Sequence, residues 1–309
     1  MDEIKLSSEQ NNFLNCFEKI QEERIDKTKN NLNVFMLKLN ANDFDYSTLI
    51  SELIEMVNTY VLSRKNYKEF IETKKYGQLS KNTREKFRNT ESNEGELGEL
   101  MLYAFLENHL KAPKIFSKME LKTSANDYVK GADGVHYLKV GENRYQLIFG
   151  EAKMYKDFLA GYKSAINSIS EFEKNSKDNE KYYIISNNLA KEFNSEEEEE
   201  FIISLIYPSK DSSGIKVDDA YGIFIGFQIE VNIKEKDLDS EDFEKLIKNK
   251  INMVINKNKD EIINEIYNHD LNGHSFYIYV VPFFNIEDQR KRILGEILKW
   301  AYQIHYLIN

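Results

Sequence analysis

The chain has 309 residues, 41% of them apolar and 13% aromatic, enough to bury a large core and long for a single compact domain. Its net charge of −10 excludes a surface that binds polyanions everywhere, while leaving room for a local basic track. One cysteine, Cys16, rules out an internal disulfide, Met1-Asp2-Glu3-Ile4-Lys5 lacks the apolar centre of a signal peptide, and no apolar run is long enough to span a bilayer; the expectation is a soluble cytoplasmic protein without membrane contact.

Residues 1–75 read as helical. Phe13, Phe17 and Ile20 recur at helix spacing, as do Leu49, Leu53, Ile54, Val57 and Val61, and Asp45-Tyr46-Ser47 offers N-cap chemistry to the second set. No cluster here suggests catalysis, so the region reads as an accessory or docking part. Residues 76–93 are rich in Lys, Arg, Asn and Ser and read as a linker. Its Lys81, Arg84, Lys86 and Arg88 fit a solvated loop better than a phosphate-binding track. A helix then opens at Glu94-Gly95-Glu96-Leu97-Gly98-Glu99 and runs to about residue 110, with Leu97, Leu100, Met101, Ala104 and Phe105 as its apolar stripe. Acids in a first turn, here Glu96 and Glu99, often serve only the helix dipole. The two glycines point further, because they let a backbone or a ligand approach closely.

Residues 115–122 read as a first strand. Residues 135–140 and 145–149 are two apolar runs separated by the turn-forming Gly141-Glu142-Asn143, the pattern of a β-hairpin. Asp133 stands at the mouth of the first run, after Gly131 and before Gly134, and Glu151 follows the second, with Lys153 two residues on. Antiparallel pairing brings Asp133 opposite the Glu151 end, and side chains two apart share a face, so Glu151 and Lys153 can look into one pocket. Two carboxylates and an amine meeting at a strand end suggest a metal site with a positioning lysine.

Residues 158–172 follow as an amphipathic helix and 182–186 as a short buried strand. The acidic run Glu196 to Glu200 reads as a solvated helix start. The last third reads strand (221–232), helix (240–267), strand (275–284), helix (286–306). This divides the chain into a helical 1–75, a central 76–215 and a C-terminal α/β part, 216–309, packed on the centre.

An acid-x-Lys triplet is weak evidence alone, since Glu3-Ile4-Lys5, Glu72-Thr73-Lys74 and Glu120-Leu121-Lys122 also fit. Only Glu151-Ala152-Lys153 combines an apolar strand before it, Asp133 across a hairpin and an acidic helix upstream. Helix-Glu, strand, Asp, strand, Glu-x-Lys, helix, strand resembles the PD-(D/E)xK nuclease superfamily. More closely, Gly95-Glu96-Leu97-Gly98-Glu99-Leu100-Met101-Leu102-Tyr103, Gly131-Ala132-Asp133-Gly134-Val135-His136 and Phe149-Gly150-Glu151-Ala152-Lys153-Met154-Tyr155 resemble the HamA family, the nuclease subunits of Hachiman anti-phage systems, which pair with a helicase-like subunit of the HamB type. The superfamily's proline before the aspartate is replaced by Ala132.

The resemblance implies an α/β, restriction-endonuclease-like core with a mixed sheet flanked by helices, and a divalent-metal-dependent endonuclease acting on DNA. Asp133 and Glu151 would hold Mg²⁺ or Mn²⁺, with the Ala152 carbonyl as a further ligand. Lys153 would orient the attacking water or neutralise charge on the phosphate. Glu99 would complete the shell, with Glu96 as the alternative, while His136 reads as a packed or surface residue. The rival reading is a nuclease-fold module that binds a partner or DNA without cutting. By the same resemblance, residues 1–75 or the C-terminal part would dock the helicase-like partner.

Overall fold

In the computed structural model, which describes residues 4–7, 12–25, 30–87, 95–121, 131–175, 193, 195–207 and 214–307, a single 3-10 turn (Phe13–Cys16) leads into strands β1 (Phe17–Arg24) and β2 (Asn31–Leu37). This corrects the helical reading of the first 44 residues. The reason lies at Ile20. The β1–β2 register slips between Lys19 and Gln21, so Ile20 is the extra residue of a bulge. The bulge breaks the two-residue alternation of β1 and sets Phe17 and Ile20 three apart, while Phe13 belongs to the 3-10 turn before it, so together the three imitate a helix. Short strands β3 (Leu39–Asn40) and β4 (Asp43–Phe44) lead into α1 (Tyr46–Val61), whose N-cap Asp45 accepts from the Thr48 amide at 3.1 Å as its sequence suggested. Helix α2 covers Arg64–Glu72.

The expected linker is also helical: α3 spans Tyr76–Lys86 and buries Leu79, Ser80 and Thr83. With Lys75 as a non-capping N-cap, and polar residues along most of its length, it carries neither of the usual helix signals. Helix α4 (Glu96–Asn108), β5 (Lys114–Ser117), the single turn α5 (Lys118–Leu121), β6 (Gly134–Gly141) and β7 (Arg144–Met154) follow. The hairpin turns at Asn143, with φ of 53°, where the sequence placed it. Strand β5 is therefore shorter than the expected 115–122, and the expected strand at 182–186 lies outside the described residues. Helices α6 (Phe158–Asn175) and α7 (Glu196–Ile206), strand β8 (Lys216–Gln228), α8 (Ile233–Lys236), α9 (Ser240–Asn268), β9 (Ser275–Phe283) and α10 (Ile286–Leu307) complete the order.

Seven strands form one mixed sheet, ordered β1-β2-β9-β8-β7-β6-β5. The neighbours β2–β9, β9–β8 and β8–β7 are parallel; β1–β2, β7–β6 and β6–β5 are antiparallel. Strands from the start, middle and end of the chain thus share one sheet. Strands β8 and β9 are inside it, consistent with the buried apolar run 220–227 of β8 and the burial of β9 throughout. Helices α1, α3, α4 and α10 pack together against one face, and α6 with α9 against the other.

The two faces meet differently on β7. A Cβ on Gly98 of α4 would stand 3.3 Å from Ala152 Cβ and from Met154 Cγ, so the glycine lets α4 lie close over these alternate residues. Phe149, two before Glu151, instead meets Phe172 of α6, with ring centroids 5.2 Å apart. The period of two therefore turns Phe149, Glu151 and Lys153 toward α6.

Candidate functional site

Backbone hydrogen bonds first fix where the acids stand. The Asp133 amide donates to the Gly150 carbonyl at 2.9 Å, and the Lys118 amide donates to the Asp133 carbonyl at 3.0 Å. Asp133 is thereby clamped between the end of β5 and β7. The register Val135↔Phe149, continued two residues, sets it across from Glu151. Gly131, with φ of 130°, supplies the bend into this position from a backbone region that L side chains rarely adopt.

Asp133, Glu151, Lys153 and Glu99 all line one cavity of about 530 Å³, together with Ala152, Lys118 and residues of α6 that include Ser168, Glu171 and Asn175. Glu96 is buried three residues earlier in α4 and does not line it. Asp133 Oδ2 accepts from the Ala152 amide at 2.8 Å, and its Oδ1 lies 3.2 Å from Lys118 Nζ. Lys153 Nζ lies 2.6 Å from Glu151 Oε1. Glu99 Oε2 accepts from the hydroxyl of Tyr60, at the end of α1, at 3.0 Å.

Burial pushes the Glu151 carboxyl up to about 7, and the Asp133 carboxylate pushes it further the same way against the pull of Lys153 and Lys118. Burial opposes the charge on Lys153, but the Glu151 and Asp133 carboxylates more than offset it, so its ammonium is held above the usual range. Lys118 is raised for the same balance of causes, through Asp133, Glu99 and Glu151. Four acidic side chains, Glu99, Asp133, Glu151 and Glu171, and two ammoniums therefore share one cleft.

His136 is a core residue. Its Nδ1 donates to the Ala112 carbonyl at 2.8 Å, and burial lowers its pKa to about 3, so it stays neutral. Glu120 of the competing triplet is a structural acid as well: it pairs with the buried Lys114 ammonium, which also donates to the carbonyls of Thr59, Tyr60 and Leu62 at 2.7, 3.3 and 3.0 Å. Arg88 lies outside the described residues, and of the other basic residues of 76–93 Lys81 pairs with Glu85 at 3.7 Å while Lys86 Nζ reaches the Glu120 carbonyl at 3.4 Å.

Among the residues that sequence reasoning missed are Lys118, in the cavity wall, and Tyr60, which braces Glu99. Neither belongs to a local motif. Lys118 arrives through the β5–β6 pairing Ser117↔Gly134, and Tyr60 through the packing of α1 on α4.

Among the described residues no group of three or more His, Cys, Asp or Glu side chains is gathered closely enough to enclose an ion. A hard divalent cation of the Mg²⁺ kind does not need such a cage, since one or two carboxylates with waters and substrate phosphate hold it. Asp133 and Glu151, two acids whose mutual repulsion in a buried cleft raises one of them, are a donor set that fits this mode.

Fold and cleft together define an α/β protein with a mixed sheet flanked by helices and an acid–lysine cavity near the β5 end of that sheet. A family model described as HamA matches residues 11–297, so the chain belongs to the HamA family. Membership places it among anti-phage defence proteins of the Hachiman type. No curated protein matches the chain. No helix among the described residues is long and apolar enough to cross a membrane.

Proposed function

We propose that the protein is a divalent-metal-dependent DNA endonuclease of the PD-(D/E)xK type, acting in the cytoplasm under the control of a helicase-like partner. The observation that carries this reading is the common cavity: Asp133 from the bend before β6, Glu151 and Lys153 from β7 and Glu99 from α4 line the same 530 Å³ space. Asp133 and Glu151, with the Ala152 carbonyl, would hold Mg²⁺ or Mn²⁺, which would supply polarisation of a phosphodiester and a more acidic water. The Ala152 amide keeps Asp133 Oδ2 in place. Glu99, braced by Tyr60, faces the cavity from the first turn of α4 and can accept a proton from water. Lys153 brings a positive charge to the position where an attacked phosphate gains negative charge.

The test is cleavage of supercoiled plasmid by the purified chain, with and without the helicase-like subunit, in Mg²⁺, in Mn²⁺ and in EDTA. Metal-dependent nicking lost in Asp133→Asn, Glu151→Gln and Lys153→Met supports the reading. Cleavage that survives EDTA, or that all three variants retain, overturns it.

The helicase-like partner is what HamA membership implies, and the charge of the chain supports it. At −10 the chain is unsuited to gripping duplex DNA over its surface, so the grip falls to another subunit. That partner does not meet a detachable helical domain, because β1 and β2 belong to the central sheet. The rival reading is a nuclease-fold module that binds DNA or a partner without cutting. DNA or partner binding without cleavage under every ion condition would select it.

A further inference from the structure

Asp133 has two carboxylate oxygens with different tasks. Oδ2 is tied to the Ala152 amide at 2.8 Å, which leaves Oδ1 as the oxygen directed to an outside cation. A cation of the chain already stands there, the Lys118 ammonium at 3.2 Å. Its position is built from several directions. The Lys118 amide donates to the Asp133 carbonyl at 3.0 Å, Ser117 Oγ donates to the Tyr60 carbonyl at 2.6 Å, and Glu120 is held by Lys114. The main chain on both sides of Lys118 is thus fixed, while its flexible side chain reaches into the cavity with a fifth of its surface exposed.

A simple structural ion pair would explain less. The backbone of Asp133 is clamped by its own amide and carbonyl bonds, so the Lys118 side chain is not needed to hold it. A long ammonium on a mobile stem, set on the cavity side of a carboxylate, is suited instead to neutralising charge and giving way.

We propose that Lys118 is a tethered counter-cation that occupies Asp133 Oδ1 and competes there with a divalent ion. The inference rests on the metal-dependent reading above and deepens it: the site holds its ion weakly by itself, because binding must first displace an ammonium. Once displaced, Lys118 stands in the same cavity as Lys153 and can pair with a phosphate oxygen, so that ion and phosphodiester favour one another's arrival. Lys118 is a positioning and charge-balancing residue under this proposal, and its signature is in ion affinity rather than in rate.

The experiment measures Mn²⁺ binding to the full chain without DNA, by the loss of the free-ion resonance signal and by calorimetry. Lys118→Met should bind Mn²⁺ at least about tenfold tighter than the native chain, since a like charge beside the ion has been removed. Lys118→Gln keeps a hydrogen bond to Asp133 without the charge, which guards against collapse of the cleft, and should show the same direction. Lys118→Arg keeps the charge and should stay within about threefold of the native chain. Adding Asp133→Asn to Lys118→Met should abolish the gain. If the native chain binds Mn²⁺ and neither neutral variant binds it more tightly, or if the gain survives Asp133→Asn, the Lys118 proposal is wrong while the ion site stands. If no form binds Mn²⁺, the divalent-ion reading fails and this inference falls with it.

Discussion

Residues 114–120 take part in two lysine–acid assemblies that look alike in composition and differ in every physical respect. Lys114 is fully buried, and its ammonium is satisfied by three carbonyls at the end of α1 together with Glu120. Lys118, four residues on, faces the cavity with Asp133, across from the Lys153–Glu151 pair. The first assembly is closed, with each ammonium hydrogen committed to the protein. It neutralises the negative end of the α1 dipole and locks α1, β5 and α5 together. The second is open, and its charges meet space large enough for a solvated ion and a phosphate. A buried charge pair alone says nothing about function; the same pair on the wall of a cavity does.

The sharpest way to break that distinction is to remove one partner of the closed assembly. Lys114→Met strands Glu120 in the interior and releases the α1 carbonyls, so it should cost about 3–5 kcal/mol of stability in urea unfolding. Its activity would be lost only as the fold is lost. An unfolding midpoint equal to that of the native chain would show that the closed assembly is not structural.

The open assembly should respond in the opposite manner. Asp133→Asn and Glu151→Gln should lower ion-dependent cleavage by at least about a hundredfold, with a smaller loss of unfolding free energy than Lys114→Met, since water in the cavity reaches the charge left behind. Loss of the fold in both variants would erase the contrast with Lys114.

Acidity separates the two assemblies next. The Glu151 carboxyl has its pKa raised from 4.5 to about 7 in the folded chain. Between these values the folded state keeps a proton that the unfolded state has lost, so this group's contribution to stability is complete below the unfolded pKa and disappears as pH rises through about 7. The native chain should therefore lose stability relative to Glu151→Gln over that window. Ion binding requires the deprotonated carboxylate and should strengthen across the same range. A pH profile shared by the native chain and Glu151→Gln would remove Glu151 from the ion site.

What the sequence revealed of this centre was its local part. The hairpin, its turn at Asn143, the pairing of Asp133 with the Glu151 end and the shared face of Glu151 and Lys153 follow from alternation and register over a few residues. The N-terminal strands were hidden because the bulge at Ile20 disguises a two-residue period. Helix α3 was hidden because it lacks a capping side chain and a continuous apolar stripe. Lys118 and Tyr60 were invisible for another reason: each reaches the cleft by tertiary packing between segments far apart in the chain. Neither spacing nor composition reports such a contact. Deleting residues 1–75 to test partner docking would, for the same cause, remove β1, β2 and α1 from the fold itself.

The smallest expected effect tests the bridge between the assemblies. Tyr60 offers its carbonyl to Lys114 and Ser117 in the closed assembly and its hydroxyl to Glu99 in the open one. Burial, with the Glu99, Asp133 and Glu96 carboxylates adding to it, keeps the phenol protonated at all ordinary pH, so the hydroxyl acts only as a donor to Glu99. Tyr60→Phe keeps the ring and the carbonyl and deletes that one bond. Stability should fall by about 1 kcal/mol. Cleavage should fall severalfold through a less well-oriented Glu99, and Glu99→Gln should make the further removal of the Tyr60 hydroxyl nearly silent in rate. The double-mutant cycle measures this directly. Additive losses in rate would mean that the Tyr60 hydroxyl does not act through Glu99, and that the end of α1 supports the fold without setting the geometry of the cleft.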